Sequence, residues 1–217
     1  MRGADGVADE TTGTDGTGDD IDVSSIRLLE LRHRIKNLLA IVQAVANQTL
    51  RSGRSIEEAR VALDGRLAAM GAAVDMLLST GWTDGGLREL IGRALIGGDP
   101  RISLDGPDVV LGPDAVMALT LVFHELESNA IKYGALSAAD GRVAIGWSVE
   151  AGERGARLRL EWAEHDGPPC VPPARKGFGS RMMAKLVGGR LRGSAETEYR
   201  PEGLCWRLSA PLAALAP

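Results

Sequence analysis

The sequence predicts an α+β fold in which a helical hairpin precedes an α/β sandwich. Two segments near the N-terminus carry apolar residues at alternating spacings of three and four, which is typical of helices that pair along a seam. Segments in the second half alternate apolar and polar residues, which is typical of paired strands. Helical segments lie between these strands, so the second half should form a largely antiparallel sheet with helices packed on it.

Composition narrows the class of protein. The chain has 217 residues, of which 44% are hydrophobic, enough for one or two folded domains. The formal net charge of −4 gives no sign of a nucleic-acid-binding surface, and no apolar stretch is long enough to span a membrane. Cys170 and Cys205 match no metal or redox spacing. These features predict a cytoplasmic protein with free thiols, no membrane segment and no nucleic-acid partner.

The first 80 residues contain two contrasting regions. Residues 1–23 are rich in Gly, Asp and Thr and contain no aromatic residue, which predicts a disordered acidic tail. Residues 24–80 predict a helical hairpin that starts near Ser24 or Ser25 and is interrupted by the helix-breaking sequence RSGRS. Each apolar seam is narrow, so a second copy of the chain is expected to complete a four-helix bundle. The seam residues are Leu28, Leu31, Ile35, Leu38, Val42, Val45 and Thr49, followed by Leu63, Leu67, Met70, Val74 and Leu77.

Residues 81–86 are predicted to be a linker, and residues 87–217 a separate domain. LRELIGRAL predicts a helix, and RISLDGPDVVL predicts two short strands around a Gly-Pro turn. The strongest helix is expected over residues 113–134, where Pro113 suits the first turn and Gly134 suits the C-terminal cap.

The last third of the chain predicts two hairpins separated by a loop and a helix. GRVAIGWSVE and ARLRLEWAE alternate as paired strands joined by AGERG. A Gly- and Pro-rich loop is expected at about 166–177, and a helix over about 178–188. GSAETEYR and GLCWRLSAPL are expected to close the sheet as a second hairpin.

Four groups of residues carry chemistry, and the first is His33 in the first predicted helix. It lies two positions from the seam residues Leu31 and Ile35, so it is expected on the flank of the bundle. An exposed imidazole is a competent nucleophile near neutral pH, and the basic residues around it would favour a polyphosphate. Taken alone, a solvated histidine is the simpler interpretation.

The second group is FHELESNAIKYGALS, residues 123–137. Glu125, Asn129, Lys132 and Tyr133 fall on one face of the predicted helix. Carboxylate and amide oxygens one turn apart suit a hydrated Mg²⁺ that bridges to phosphates, and Lys132 adds a positive charge. Taken alone, a solvated polar face explains this pattern about equally well.

The third group is RKGFGSRMMAKLVGG, residues 175–189. Gly177, Gly179 and Ser180 stand where a helix opens, so backbone N–H groups and the helix dipole could hold phosphate there. A plain turn is the alternative, but the Gly- and Pro-rich loop ahead of the helix favours a nucleotide lid.

The fourth group is LEWAEHDGPPC, residues 160–170, in which a strand ends in acidic residues and a Gly-Pro turn. A carboxylate at such a strand end can accept a hydrogen bond from the exocyclic amine of adenine. Taken alone, a surface turn is the simpler interpretation.

Together and in this order, the four groups resemble the HWE family of sensor histidine kinases. HRIKN at 33–37 is similar to the phosphoacceptor box of that family, and HELESNAIKYGALS is similar to its N box, with His124 as the N-box histidine. Trp162 and Glu164 match its W-x-E motif, and GFGSR at 177–181 is similar to its glycine box. The resemblance covers nearly all of the chain that is predicted to fold.

The resemblance implies a dimerisation and histidine phosphotransfer hairpin followed by a Bergerat-type ATP-binding domain. Such a protein uses ATP and Mg²⁺ to phosphorylate its own histidine, which is His33 here, and passes the phosphoryl group to an aspartate in the receiver domain of a response regulator. Similar proteins act in bacterial light and stress signalling. A homodimer is expected, although the protein's own ATP-binding domain could cover the seam in a monomer.

The resemblance also implies roles for individual residues. Glu125 and Asn129 would serve the metal and the phosphates, and Glu125 would also belong to the catalytic residues together with His33. Glu164 would recognise adenine. The other implied nucleotide contacts are Lys132, Tyr133, Gly177, Gly179 and Ser180, the last three as lid hinge and phosphate contacts.

Two departures from the family pattern leave parts of this interpretation open. The family usually has two glycines between W-x-E and the proline, whereas Asp166 and Gly167 stand here. Asp166 could crowd the adenine or replace Glu164 as its partner, so Asp166 and Gly167 are also candidate nucleotide contacts. Only a short tail precedes the hairpin in this sequence, so the input is expected from a separate sensor protein, or the protein is constitutively active.

Three other functions fit part of the pattern. A histidine phosphotransferase relay with an inactive ATP-binding domain is the main alternative, and the intact Glu125, Asn129 and glycine box argue against it. A serine kinase of the anti-sigma type shares the Bergerat domain but not a hairpin with HRIKN. A purely structural dimerisation module leaves the polar groups unexplained. Nucleotide binding and the acid stability of the phosphorylated product separate these functions.

Overall fold

A computed structural model of the chain describes residues 17–50, 55–95, 98–152, 155–173 and 177–217. The chain divides into two compact units, residues 1–44 and 45–217. In the first unit the described residues are helical, and the second unit contains all the strands that the structure describes. Within these ranges, no helix is long and apolar enough to cross a membrane.

Helix α1 (Thr17–Leu50) begins earlier in the chain than the sequence predicted. The end of the supposed disordered tail is helical, so the predicted start near Ser24 is wrong. The rest of the predicted tail, residues 1–16, lies outside the described residues.

Helix α2 (Ile56–Ser79) starts at a capping box. The hydroxyl of Ser55 accepts a hydrogen bond from the backbone N–H of Glu58 at 3.2 Å, and the carboxylate of Glu58 accepts one from the backbone N–H of Ser55 at 2.9 Å. These bonds satisfy N–H groups for which the helix itself provides no partner. The sequence SIEE therefore fixes where α2 begins.

The predicted apolar seam of the hairpin is buried only in part. Met70 and Leu77 in α2 are buried, as are Val45 and Thr49 near the end of α1. Leu67, which precedes Met70 in the predicted seam, is 38% exposed. The four-helix bundle with a second copy stays a prediction, as do the domain boundaries at residues 80 and 86.

In the described part of the chain, seven strands form two sheets. They are β1 (Gly85–Gly86), β2 (Ile102–Asp105), β3 (Val110–Leu111), β4 (Arg142–Glu150), β5 (Arg157–His165), β6 (Ser194–Arg200) and β7 (Gly203–Pro211). The main sheet has the order β2-β4-β5-β7-β6, and β4–β5, β5–β7 and β6–β7 are antiparallel pairs. The two predicted hairpins and the α+β fold are therefore confirmed.

β2 departs from the largely antiparallel pattern because it pairs with β4 in parallel. β3 pairs instead with β1, which forms the end of the predicted linker. The two strands predicted around the Gly-Pro turn therefore exist but lie in different sheets. A parallel pair needs a long crossover connection, and helix α4 (Pro113–Lys132) lies in the one between β2 and β4.

Helices α3 (Leu87–Ala94), α4 and α5 (Phe178–Gly189) lie where the sequence predicted them. Pro113 is in the first turn of α4. At the other end, the N–H of Gly134 donates to the carbonyls of Asn129 and Ala130 at 3.1 Å each, which closes the helix.

The core face of the main sheet follows from the two-residue period of its strands. Ile145 of β4 pairs with Trp162 of β5, and Trp162 pairs with Trp206 of β7, so the three side chains share one face. All three are buried, as is Phe123 of α4. Glu164 lies two residues beyond Trp162, and the same period places its carboxylate on this face.

Candidate active site

A cavity of about 480 Å³ lies between α4, the loop after β5, the start of α5 and strands β6 and β7. Seven of the residues singled out in the sequence line it: Glu125, Asn129, Tyr133, Glu164, Gly177, Gly179 and Ser180. They come from three separate segments of the chain. The strand side of the cavity is largely apolar and includes Leu204 and Trp206.

Glu125 lies at the end of the cavity next to α5 and is 5% exposed. Its Oε1 accepts a hydrogen bond from Nε of Arg66 in α2 at 2.7 Å, and Nη2 of the same guanidinium lies 2.5 Å from Oε1 in an ion pair. Arg66 Nη1 donates to the hydroxyl of Thr49 at 3.0 Å. The sequence predictions missed Arg66, because it is 59 residues away from Glu125 and belongs to no motif.

Gly179 brings the start of α5 against Glu125. A Cβ at this position would collide with Oε2 of Glu125, so a larger residue would require the carboxylate or the helix to shift. Gly177 is the N-cap residue of α5, and it has no side chain that could accept a hydrogen bond from the first N–H groups of the helix. The first N–H groups of a helix have no intrahelical partner and carry its positive dipole end, so this end of the cavity favours an anion.

Glu164 lies at the opposite end of the cavity from Glu125 and is 4% exposed. Its Oε2 accepts a hydrogen bond from the backbone N–H of Ala135 at 2.8 Å, and its Oε1 accepts one from Nε1 of Trp162 at 3.2 Å. Burial raises the pKa of Glu164, and the two hydrogen bonds oppose that rise. Gly134 packs directly against it, and a Cβ there would displace the carboxylate because it would collide with Oε2.

Three predicted nucleotide contacts do not line this cavity. Lys132 is exposed at the end of α4. Asp166 binds Arg142 on the surface, with Nε at 3.1 Å and Nη2 at 2.7 Å from its Oδ2. Gly167 packs against the backbone of Ala135, whose Cα would lie 2.5 Å from an added Cβ. Of the two acids proposed for adenine recognition, the structure places Glu164 in the cavity and Asp166 outside it.

His33 lies in α1, within the first compact unit. Its side chain is outside the described residues, so its role as phosphoacceptor stays a prediction. His124, the N-box histidine, has a pKa lowered chiefly by burial. Its ring lies against Gly65 of α2, where an added Cβ would lie 3.2 Å from Nε2.

The cavity suits the cofactors that the motifs imply. Glu125 and Asn129 stand one helical turn apart and both face it, and these carboxylate and amide groups are suitable ligands for Mg²⁺. Among the described residues no group of three or more His, Cys, Asp or Glu could hold a metal. Mg²⁺ in nucleotide sites often uses only one or two carboxylates, with phosphates and water as the remaining ligands. The donor set therefore fits Mg²⁺ bound together with a nucleotide.

Comparison with known proteins identifies the family. The sequence model of the HWE histidine kinases matches residues 30–108. A blue-light-activated histidine kinase of Brucella ovis is 35% identical over 187 residues, which is 84% of this chain and 38% of the relative. The chain belongs to the HWE histidine kinase family. A second relative with the same description, from Brucella anthropi, is 35% identical over 189 residues, 85% of this chain and 38% of its own length.

Solved structures show the same fold as this HWE family member. The histidine kinase domain of a blue-light activated histidine kinase from Erythrobacter litoralis gives a TM-score of 0.55 at 17% identity, covering 82% of this chain and 95% of that one. A longer chain of the Erythrobacter protein gives 0.58 at 18% identity, covering 86% and 59%. This chain spans 38% of the length of the curated Brucella relatives.

Proposed function

We propose that this chain is an ATP-dependent protein histidine kinase that phosphorylates His33 and passes the phosphoryl group to an aspartate of a response regulator receiver domain. One observation supports this most strongly. A single cavity is lined by the N-box residues Glu125 and Asn129, by the W-x-E carboxylate Glu164 and by the glycine box. Family membership supports the same conclusion, because residues 30–108, which the family model matches, include HRIKN.

Each end of the cavity has a distinct part in the proposed reaction. Glu164, held by two neutral N–H donors, would accept a hydrogen bond from the exocyclic amine of adenine. Glu125 and Asn129 would hold Mg²⁺, which when bound neutralises charge on the phosphate oxygens. The N–H groups at the start of α5 would receive the phosphates, since Gly179 brings this end of the helix next to Glu125.

The proposed chemistry is a single phosphoryl transfer. The unprotonated nitrogen of the His33 imidazole attacks the γ-phosphorus in line. The new P–N bond forms as the bond between the γ-phosphorus and the β,γ-bridging oxygen breaks, and ADP leaves. The phosphorylated ring then releases its remaining ring proton to water. Transfer to a receiver aspartate exchanges the P–N bond for a P–O bond and restores the imidazole.

The deciding experiment is incubation with γ-labelled ATP and Mg²⁺, wild type beside His33→Ala. We expect an acid-labile, base-stable label that is absent from His33→Ala, while nucleotide binding by that variant is unchanged. Asn129→Ala should lose both metal-dependent nucleotide binding and the label. Nucleotide binding without any label would instead favour the phosphotransfer relay, and equal labelling of His33→Ala would exclude this histidine.

The partners follow from the same proposal. Label on the wild type should move to isolated receiver domains that carry an aspartate and should not move to their Asp→Asn variants.

A second copy of the chain is the expected partner of the hairpin, because Leu67 and other apolar side chains of α2 are exposed in the single chain. Light scattering should give twice the mass of the chain, and the mass of one chain would support the monomer.

A further inference from the structure

Arg66 links the hairpin helix α2 to the N-box helix α4 through a buried ion pair. The side chains of Arg66 and Glu125 are only 3% and 7% exposed. Both N–H contacts from Arg66 converge on the same oxygen of Glu125, Oε1. The other oxygen, Oε2, is the one that an added Cβ on Gly179 would meet. The guanidinium therefore contacts the carboxylate at Oε1, and Oε2 lies on the side of the start of α5.

We propose that Arg66 is a positioning residue for Glu125 in the phosphoryl-transfer reaction. The proposal rests on the function proposed above. Arg66 fixes the rotation of the Glu125 carboxylate so that Oε2 points to the end of the cavity where metal and phosphate would bind. In this role Arg66 touches neither the nucleotide nor the metal and acts through Glu125 alone.

The guanidinium is itself held in place, as this role requires. The hydroxyl of Thr49 accepts from Arg66 Nη1 at 3.0 Å and donates to the carbonyl of Val45 at 2.6 Å. Thr49 is fully buried. The hydrogen bonds thus run from the end of α1 through α2 to α4, and each member restricts the rotation of the next. Such supporting bonds preorganise a site whose geometry must be kept within fractions of an ångström.

The chemistry of arginine suits this position better than that of lysine. A planar guanidinium offers donors in fixed directions and can bind Glu125 and Thr49 at the same time, whereas an ammonium is a compact charge on a flexible stem. Arg60 on the same helix provides a contrast. It is 62% exposed and pairs only with Glu57 and Asp64 of its own helix among the contacts described.

The test compares Arg66→Met and Arg66→Lys with the matched control Arg60→Met. Two readouts are needed: the Mg²⁺ concentration that half-saturates phosphorylation, and binding of a fluorescent ADP analogue with Mg²⁺ or with EDTA. Loss of a residue that orients a metal ligand typically costs 10–100-fold in metal affinity or activity. We expect Arg66→Met to raise the half-saturating Mg²⁺ concentration by about 10-fold or more. Binding with EDTA should stay unchanged, Arg66→Lys should recover part of the loss, and Arg60→Met should match wild type.

Thr49 supplies a gentler pair of variants in case Arg66→Met does not fold. Thr49→Val keeps the shape but removes the acceptor for Arg66 Nη1, whereas Thr49→Ser keeps the hydroxyl. Thr49→Val should raise the half-saturating Mg²⁺ concentration and Thr49→Ser should not. An unchanged Mg²⁺ dependence in both Arg66→Met and Thr49→Val would overturn the proposal, and so would phosphorylation by Arg66→Met that is faster than wild type.

Failure of the proposed function gives a different result. A wild type that binds nucleotide with Mg²⁺ but takes no label contradicts the kinase reaction, while the Mg²⁺ dependence of nucleotide binding still tests Arg66. A wild type that takes label but shows the same Mg²⁺ dependence after Arg66→Met contradicts the role of Arg66 alone.

Discussion

Two glutamates at opposite ends of one cavity are buried to nearly the same extent but are compensated in different ways. Glu164 is 4% exposed and is held by two neutral donors, the backbone N–H of Ala135 and the indole N–H of Trp162. Glu125 is 5% exposed and is held by the positive charge of Arg66. Neutral donors add no charge beside a carboxylate, whereas a guanidinium places a positive charge against one of its oxygens.

The difference teaches that burial alone does not set the chemistry of a carboxylate. Glu164, with no cation bound to it among the described residues, is suited to accept hydrogen bonds from a neutral base such as adenine. Glu125 keeps one oxygen beside Gly179 and is suited to a metal only while its orientation is controlled. The following predictions test this contrast, starting with the largest expected effect.

Gly179→Ala should damage the Glu125 end of the cavity most. The added methyl group would collide with Oε2, so α5 or the carboxylate must move. Displacement of a reacting group by about 1 Å can cost about 100-fold in rate, and we expect a loss of phosphorylation of that order. Gly188→Ala in the same helix is the control, since nothing lies within 4 Å of its Cβ position. Equal activity of the two variants would contradict the close packing.

Glu125→Gln and Glu164→Gln should differ in stability. Glu125→Gln removes the carboxylate charge that pairs with the buried guanidinium of Arg66, and breaking such a buried pair costs about 3–5 kcal/mol. Glu164→Gln leaves at most one neutral donor unsatisfied, which costs about 1–2 kcal/mol. Urea unfolding of both variants measures the two free energies. The contrast between the glutamates is wrong if the two values agree or if their order is reversed.

The pH dependence of stability should carry the signature of Glu164. Burial raises its pKa above the ordinary value of 4.5, so the folded protein holds a proton that the unfolded chain releases. This contribution to the free energy of unfolding is complete below pH 4.5 and is lost as the pH rises through the folded-state pKa. Glu164→Gln lacks it.

The measurement is the difference in unfolding free energy, wild type minus Glu164→Gln, as a function of pH. It should fall as the pH rises from below 4.5. His124, whose pKa is lowered, gives a trend of opposite sign, but it is present in both proteins and cancels in the difference. A difference that rises with pH would show that the hydrogen bonds to Glu164 outweigh its burial.

Asp166→Asn should have the smallest effect. Its ion pair with Arg142 joins side chains that are 51% and 68% exposed, and such pairs contribute less than about 1 kcal/mol. Asparagine also tolerates the positive φ of 57° at this position. Nucleotide affinity should stay within about two-fold of wild type, whereas Glu164→Gln should lose about ten-fold. The opposite order, measured with a fluorescent nucleotide, would assign adenine recognition to Asp166.

Much of the fold was predictable because its signals are local. The capping residues around α2 and α4 and the alternation in β4, β5, β6 and β7 act within a few residues of the chain. The parallel pairing of β2 with β4 was not predictable, since β2 is short and its partner lies beyond a whole helix. The early start of α1 was missed because composition alone argued for disorder there.

The candidate site divides in the same way. Glu125 and Asn129 could be placed together from residue type and spacing, because the helix period puts them on one face. The W-x-E pair and the glycine box were named from the resemblance to the HWE family. Their convergence on a single cavity, the pairing of Arg66 with Glu125 and the position of Asp166 outside the cavity were decided only by the tertiary structure. The reason is physical: these relations depend on how distant elements pack, and local periodicity carries no information about which buried charge meets which partner.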